Sequence, residues 1–210
     1  MLSLGRDWKM CGRGQARARH AADMTVNGAS TRAKGLAALV CPHAYCRSVF
    51  DIDPFLLKKQ GIDGLIVDVD NTLVEWDKHE VTGDLKEWFG TCVAAGISCC
   101  IVSNSTRVRK IAAFARQLGV GFICPAVKPM PSSFRAAMRR LGTGRSNTAV
   151  VGDQVFTDVL GGNALGVRTI LVQPVSPREY AWTRLVRRLE RAVLRYLEAQ
   201  GLIVRAPPSR

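Results

Sequence analysis

The sequence lacks an uninterrupted apolar run of the length that a membrane-spanning helix needs, about 18 residues. We therefore expect no such helix, although 47% of the 210 residues are hydrophobic and this content predicts a packed core. No segment resembling a signal peptide precedes the seven cysteines, which are odd in number and scattered. We expect them to be reduced thiols rather than a disulfide framework.

Acidic residues are also scarce, since 17 Asp and Glu face 30 Lys and Arg and the net charge is +13. The excess lies mainly within residues 1–35 and 178–210, whereas the middle of the chain is nearly neutral. Basic ends alone could indicate nucleic-acid binding, but these ends lack an aromatic platform on which bases would stack. We therefore expect no nucleic-acid partner and favour basic appendages on an ordinary globular body.

Composition divides the chain into three parts. Residues 1–34 have no periodic apolar pattern, which predicts a disordered or irregular basic arm. Residues 35–177 alternate strand-like and helix-like segments, as is typical of an α/β domain with a parallel sheet. Residues 178–210 place apolar residues at helical spacing with arginines between them, which predicts a basic amphipathic helix and a tail. Its apolar stripe has two candidate partners, the domain itself and an anionic membrane.

The middle part predicts a regular order of elements. Short apolar runs predict strands at residues 64–69, 97–102, 121–124, 148–151 and 168–172. Helices are predicted at residues 85–95, 106–118, 132–141 and 156–164, the second one after a cap at residues 103–105. The chain between the first three strands has room for one helix each time. We therefore expect no additional cap domain over the edge of the sheet.

Two carboxylates, Asp68 and Asp70, follow the first apolar run. In open α/β sheets, ligands bind at the carboxyl ends of the strands. Two acids this close would repel each other and lose hydration unless a cation compensates them, and oxygen ligands favour Mg²⁺. A calcium loop of the EF-hand type is excluded, because Leu73 stands where that loop needs Gly and His79 where it needs Glu.

The segment Asp68-Val-Asp-Asn-Thr-Leu73 resembles the first motif of the haloacid dehalogenase (HAD) superfamily of phosphotransferases. Ser103, Lys128 and the segment from Gly152 to Asp158 resemble its later motifs, in the same order. Over roughly residues 36–200 the chain is similar to the YqeG group of type IIIA phosphatases in this superfamily. The resemblance implies a three-layer, Rossmann-like α/β fold with a parallel sheet and no cap domain.

The resemblance implies a catalytic role for each acid. Asp68 would be the nucleophile that accepts the phosphoryl group, and Asp70 would be the general acid and base. Mg²⁺ would be bound by Asp68, by the backbone carbonyl of Asp70 and by Asp153. A carboxylate attacks a dianionic phosphate only when cations neutralise both, which is the physical reason for the metal.

The resemblance also implies residues that bind phosphate and residues that support the site. Ser103, Asn104 and Lys128 would bind the phosphoryl oxygens. Thr72 and Asp158 would support the site, with Asp158 orienting Lys128 or assisting the metal. The alternative for Asp158 is an acid on a helix surface or at a helix cap.

The YqeG group is related to phosphatidylglycerophosphate phosphatases, so the resemblance implies a phosphorylated lipid headgroup as the substrate. An uncapped site suits a phosphate displayed on a surface. An anionic membrane attracts a basic helix by about 1 kcal/mol for each Lys or Arg near it, and Tyr180, Trp182 and Tyr196 could lie at the interface. The expected location is the cytoplasm, and a peripheral place on the inner face of the membrane stays open.

Two other functions remain as alternatives. One is a phosphatase for a soluble phosphorylated metabolite or a nucleic-acid end, for which the basic ends would contact polyanions. The other is an inactive binding module with the same fold. Asp70 argues against the inactive module, because a purely structural site needs no proton shuttle there.

Overall fold

The computed structural model describes residues 33–76, 78, 80–176 and 181–204, and it describes only the backbone of residues 181–185. The predicted basic arm, residues 1–34, therefore lies outside the described residues except for its last two. Tyr180, the side chain of Trp182 and the end of the predicted tail, residues 205–210, also lie outside them. The six described cysteines form no disulfide.

A six-stranded parallel sheet forms the middle layer, with the strand order β1-β6-β5-β2-β3-β4. The strands are β1 (Ala44–Cys46), β2 (Gly64–Val67), β3 (Ser98–Val102), β4 (Gly121–Ile123), β5 (Thr148–Gly152) and β6 (Arg168–Val172). The five predicted strands are present, and β1 is an addition at the sheet edge. All four residues of β2 are buried, because this strand lies inside the sheet and is covered on both faces.

Helices cover both faces of this sheet. They are α1 (Leu36–Val40), α2 (Pro54–Lys59), α3 (Gly83–Ala94), α4 (Val108–Leu118), α5 (Pro131–Leu141), α6 (Leu160–Ala164) and α7 (Ala181–Ala199). A 3₁₀ turn covers Val49–Asp51, and a π-helical turn over Val155–Val159 leads into α6. The helix predicted at residues 156–164 is thus two different turns in succession.

The two faces of β2 belong to two separate apolar cores. Leu65 and Val67 pack in the core that contains Trp88 of α3 and Phe114 of α4. Ile66, which points to the opposite face, packs in a second core with Phe134, Ala137 and Met138 of α5. This alternation gives the three layers, and the predicted three-layer α/β fold is confirmed. In the described part of the chain, α3 is the one helix between β2 and β3, as expected without a cap domain.

Helix α4 begins at Val108, two residues later than predicted, and its N-cap makes no side-chain hydrogen bond. Ser103 and Ser105 do not cap it. Their hydroxyl oxygens accept hydrogen bonds from the backbone N–H groups of Ser105 and Arg107, at 3.1 and 3.2 Å. These two local turns compete with helix formation and delay its start.

Helix α7 packs on the domain through one side. Leu194 and Leu197 are buried in a third apolar cluster with Val155 and Leu171. On the exposed side, Leu189 and Tyr196 are 56% and 57% accessible, and Arg188, Arg191 and Arg195 are exposed with them. Among the described residues, no helix is both long and apolar enough to cross a bilayer.

Candidate active site

The loop after β2 carries the first motif, and its shape depends on Asn71. This residue has a φ of 61°, a left-handed conformation that Asn tolerates better than most residues. Its backbone N–H donates to the Val74 carbonyl oxygen at 2.8 Å, and its side-chain oxygen accepts from the Trp76 N–H at 3.3 Å. Thr72, the next residue in this tight loop, is buried.

Neighbouring strands bring the other motifs to the same edge. Strands β3 and β5 flank β2 in parallel, so Ser103 after β3 and Asp153 after β5 lie beside Asp68. The pocket at this edge has a volume of about 340 Å³. It is lined by five of the predicted site residues, Asp68, Asp70, Ser103, Asn104 and Lys128. Thr72 and Asp153 do not line it; both are buried and joined by a hydrogen bond of 3.0 Å.

Lys128 is the centre of the charge arrangement. Its ammonium nitrogen lies 2.6 Å from Asp68 Oδ1 and 2.7 Å from Asp158 Oδ1. Burial alone would lower the pKa of Lys128, but Asp158 and Asp68 outweigh it and raise the pKa, so the side chain stays protonated. Asp158 is 2% exposed, which excludes the alternative that it is an acid on a helix surface.

Asn104 fixes the backbone of Lys128 by two hydrogen bonds. Its side-chain oxygen accepts from the Lys128 N–H at 2.8 Å, and its side-chain nitrogen donates to the Lys128 carbonyl oxygen at 3.1 Å. Both polar atoms of the amide are thus engaged with the loop that carries Lys128. A contact between Asn104 and phosphate stays a prediction.

The protein alone compensates the negative charge of Asp68, the candidate nucleophile, only in part. Burial, with Asp158 and Asp153 adding to it, raises the pKa of Asp68 to about 8 even though Lys128 acts in the opposite direction. Burial likewise raises the pKa of Asp153 to about 6. Since only the carboxylate form of Asp68 can attack phosphorus, a further cation would favour the reactive form.

The buried carboxylates fit a divalent cation. Asp68, Asp153 and Asp158 each bring one carboxylate oxygen within 4.8 Å of the others. Asp68 and Asp153 are two of the predicted ligands, whereas Asp158 was predicted to support the site. Asp70 lines the pocket, and the roles of its side chain in proton transfer and of its backbone carbonyl as a metal ligand stay predictions. A donor set of hard oxygens is the kind that Mg²⁺ prefers.

Two pairs of interacting residues at the site were not predicted from the sequence. Arg187 of α7 forms an ion pair with Asp153 and lies 2.9 Å from Glu190. Arg107 places its guanidinium over the ring of Trp76, 5.5 Å from the ring centroid, and both side chains line the pocket. The sequence did contain one signal for Arg187 and Glu190. Glu190 lies at helical spacing from the apolar residues Leu194 and Leu197, which indicates that it belongs to the packed side of the helix.

Comparisons with known proteins give one family. The HAD-hydrolase-like family model matches residues 126–174. The chain is 42% identical over 162 residues to "Probable phosphatase YqeG" of Bacillus subtilis, an alignment that covers 77% of this chain and 94% of that protein.

Two phosphatidylglycerophosphate phosphatases are more distant relatives. The chain is 30% identical to phosphatidylglycerophosphate phosphatase 1, chloroplastic/mitochondrial, of Arabidopsis thaliana, over 78% of this chain and 49% of that protein. It is 29% identical to phosphatidylglycerophosphate phosphatase 1, chloroplastic, of Chlamydomonas reinhardtii, over 68% of this chain and 56% of that protein. The chain thus spans about half the length of these two relatives.

Proposed function

Since the chain belongs to the YqeG group of HAD-superfamily phosphatases, we propose that it hydrolyses the terminal phosphomonoester of a phosphorylated lipid headgroup. The proposed substrate is phosphatidylglycerophosphate and the product phosphatidylglycerol. The observation that carries the proposal is the buried contact of Lys128 with Asp68 and Asp158, beside the pocket that Lys128 and Asp68 line. Together with Asp153, these residues would supply a nucleophile, a fixed positive charge and the carboxylates for a divalent cation.

The reaction proceeds in two steps on Asp68. In the first step a carboxylate oxygen attacks phosphorus, the bond from phosphorus to the substrate oxygen breaks, and Asp70 gives its proton to the leaving alcohol. In the second step Asp70 takes a proton from water, which attacks the same phosphorus and releases inorganic phosphate from Asp68. Asp70 suits this shuttle because it lines the pocket beside the buried Asp68.

Other residues of the chain stabilise the negative charge on the transferring group. Lys128 and Ser103 line the same pocket, and their ammonium and hydroxyl groups bind phosphoryl oxygens. Asp68, Asp153 and the Asp70 backbone carbonyl would hold Mg²⁺, with Asp158 close by. When bound, the cation neutralises negative charge on the carboxylates and on the phosphoryl group, which lowers the barrier to nucleophilic attack.

Two features support a lipid substrate. Arg107 and Trp76 stand at the pocket, where the guanidinium can bind the phosphodiester that links the headgroup to the lipid. The exposed side of α7 combines Leu189 and Tyr196 with Arg195, a mixture of apolar, aromatic and basic groups that suits an anionic membrane surface. The similarity to the two phosphatidylglycerophosphate phosphatases agrees with this substrate class.

Phosphate release by the purified protein tests the proposal. Phosphatidylglycerophosphate in vesicles would be assayed with Mg²⁺ and with EDTA, beside glycerol 3-phosphate, a sugar phosphate and a 5′-phosphorylated oligonucleotide. The expected result is Mg²⁺-dependent hydrolysis that is fastest with the lipid. Faster hydrolysis of a soluble phosphate or of the oligonucleotide would overturn the lipid assignment and support the corresponding alternative.

Two variants test the chemical roles. Asp68→Asn should abolish turnover and any phosphorylation of the protein. Asp70→Asn removes the base of the second step, so phosphorylated protein should accumulate with a reactive substrate whose leaving group needs no proton, such as an aryl phosphate. Intact-protein mass spectrometry measures this accumulation. Equal phosphate release by wild type and Asp68→Asn would show that the assigned nucleophile is wrong.

A further inference from the structure

Helix α7 reaches the candidate metal site through the side chain of Arg187. One guanidinium nitrogen, Nη2, donates to Asp153 Oδ2, and the other, Nη1, donates to the Asp153 backbone carbonyl oxygen at 2.6 Å. The second carboxylate oxygen of Asp153 accepts from the Thr72 hydroxyl at 3.0 Å. Because Asp153 is 3% exposed and both of its carboxylate oxygens have partners, the orientation of the carboxylate is fixed.

Glu190 holds Arg187 in this position. Its Oε2 atom accepts from Arg187 Nη1 at 2.9 Å, and its Oε1 atom accepts from the backbone N–H of Phe156 at 3.2 Å. Phe156 belongs to the π-helical turn that carries Asp158. A chain of hydrogen bonds therefore connects α7, the carboxylate of Asp153 and the turn that presents Asp158 to Lys128.

The charged side chains in this chain of hydrogen bonds and at the Lys128 contact carry more negative than positive charge. Among the described residues, four buried carboxylates meet two cationic side chains here: Asp68, Asp153, Asp158 and Glu190 meet Lys128 and Arg187. When all four carboxylates are ionised, the excess of two negative charges equals the charge of one divalent cation, and without that cation the raised pKa of Asp68 favours its protonated form. Buried charges without partners are costly, so the arrangement suits a cation whose ligands are already oriented.

We infer that Arg187 is a positioning residue, which orients the Asp153 carboxylate for the divalent cation and contacts neither the substrate nor the reacting atoms. A positioning role and a purely electrostatic role predict opposite results. If only the charge of Arg187 acted on the site, its removal would strengthen cation binding, because one like charge would be gone. If Arg187 orients Asp153, its removal weakens binding, by about 10–100-fold as is typical for partners of metal ligands.

Isothermal titration with Mg²⁺ in the absence of substrate separates these cases. The full chain would be compared with Arg187→Ala, Arg187→Lys and the control Arg188→Ala, which changes the neighbouring exposed arginine on the same helix. We expect Arg187→Ala to bind about 10–100-fold more weakly and Arg188→Ala to bind as wild type. Arg187→Lys should also bind more weakly, because an ammonium does not reproduce the two-pronged contact with the carboxylate and the carbonyl.

Steady-state kinetics give a second readout. In Arg187→Ala the Mg²⁺ concentration for half-maximal rate should rise by the same factor as the dissociation constant. The KM for a soluble phosphate should stay unchanged, and excess Mg²⁺ should restore kcat. A variant that had lost only general stability would not be rescued in this way.

Equal or tighter Mg²⁺ binding by Arg187→Ala would overturn the inference. If circular dichroism shows that this variant does not fold, Arg187→Lys and Glu190→Gln replace it, and wild-type affinity in both would overturn the inference equally. The inference rests on the metal site of the proposed function but not on the lipid substrate. Absence of Mg²⁺ binding in the wild type would overturn the metal site and this inference with it, whereas hydrolysis of a different phosphate would overturn the substrate alone.

Discussion

The carboxylate of Asp158 occupies the space that a β-carbon on Gly152 would fill. Asp158 thereby lies deep enough beneath the sheet edge to accept hydrogen bonds from Lys128 at 2.7 Å and from the Gln154 backbone at 3.2 Å. Position 152 therefore requires glycine, because the Asp158 side chain lies too close to its backbone for a β-carbon to fit. This glycine sets the depth at which Lys128 lies beside Asp68.

Gly152→Ala should displace Asp158 and, through it, Lys128. A displacement of about 1 Å at a phosphate-binding cation can cost about 100-fold in rate, so we expect kcat to fall by about that factor. The control is Gly90→Ala, at an exposed position within α3 where a β-carbon meets nothing within 4 Å. It should keep full activity and stabilise the fold by about 0.5–1 kcal/mol. A fully active Gly152→Ala variant would contradict this account of the glycine.

His43 should make the stability of the protein depend on pH. Burial, and to a smaller extent the charge of Arg168, lowers the pKa of His43 below its ordinary value of 6.5. Its Nδ1 atom accepts from the Thr169 backbone N–H at 3.2 Å, a bond that a proton on Nδ1 would remove. The folded state therefore disfavours protonation, and the unfolded state binds the proton first as pH falls.

The free energy of unfolding should consequently decrease below about pH 6.5, by at most about 1.4 kcal/mol for each pH unit from this group. His43→Asn keeps an acceptor near the Thr169 N–H but does not titrate there. Urea unfolding of both proteins at pH 7 and pH 5 measures the effect. The decrease should be smaller in the variant, and identical decreases would show that His43 is not the group responsible.

Strands β2, β3 and β5 were predictable because their residues are mostly apolar and a predicted site residue follows each of them, Asp68, Ser103 and Asp153. The edge strand β1 was missed since Ala44–Cys46 is three residues long and has no alternating or β-branched pattern. It forms only by pairing with β6, in the register Ala44 with Ile170. Such a strand depends on tertiary pairing rather than on its own propensity.

The contact of Arg187 with Asp153 is a part of the site that could not be predicted from the sequence. Helical periodicity indicates that Arg187, Glu190 and Leu194 share one side of α7. It does not indicate which part of the domain this side meets, because the partners are 34 residues apart in sequence and their contact depends on how the helix packs. Motif residues at strand ends were predictable for the opposite reason, since parallel strands bring their carboxyl ends to one edge.

Arg107 should distinguish substrates that carry a second phosphate. A short-chain, soluble phosphatidylglycerophosphate has a phosphomonoester and a phosphodiester, whereas glycerol 3-phosphate has only the phosphomonoester. Loss of a hydrogen bond to a charged group costs about 1.5–3 kcal/mol. We therefore expect Arg107→Gln to raise the KM for the lipid by about tenfold or more and to leave the KM for glycerol 3-phosphate unchanged.

The matched control is Arg109→Gln, because Arg109 is exposed on helix α4, whose N-cap residue is Arg107, and is not among the residues that line the pocket. Its KM should match wild type for both substrates. An equal rise in KM for the lipid and for glycerol 3-phosphate in Arg107→Gln would assign Arg107 to the reacting phosphate instead of the second one.

The exposed side of α7 should contribute to activity on membranes but not to chemistry. Deletion of residues 178–210 does not isolate this contribution, because it also removes Arg187 from Asp153. Substitutions on the exposed side avoid the problem, so Leu189→Ser and Tyr196→Ser would be combined in one variant. Both side chains are more than half exposed, and their loss should leave the hydrolysis of a soluble aryl phosphate at the wild-type rate.

Sedimentation with vesicles measures the membrane contribution of this double variant. Each buried side chain of this size contributes about 1.5–3 kcal/mol when it leaves water, so the loss of two half-buried contacts should weaken binding to anionic vesicles by at least about tenfold. The rate on vesicle-borne phosphatidylglycerophosphate should fall in parallel at low vesicle concentration and recover at high concentration. Unchanged sedimentation would mean that the exposed side of α7 is an ordinary solvated surface, and that the phosphate reaches the pocket without help from this helix.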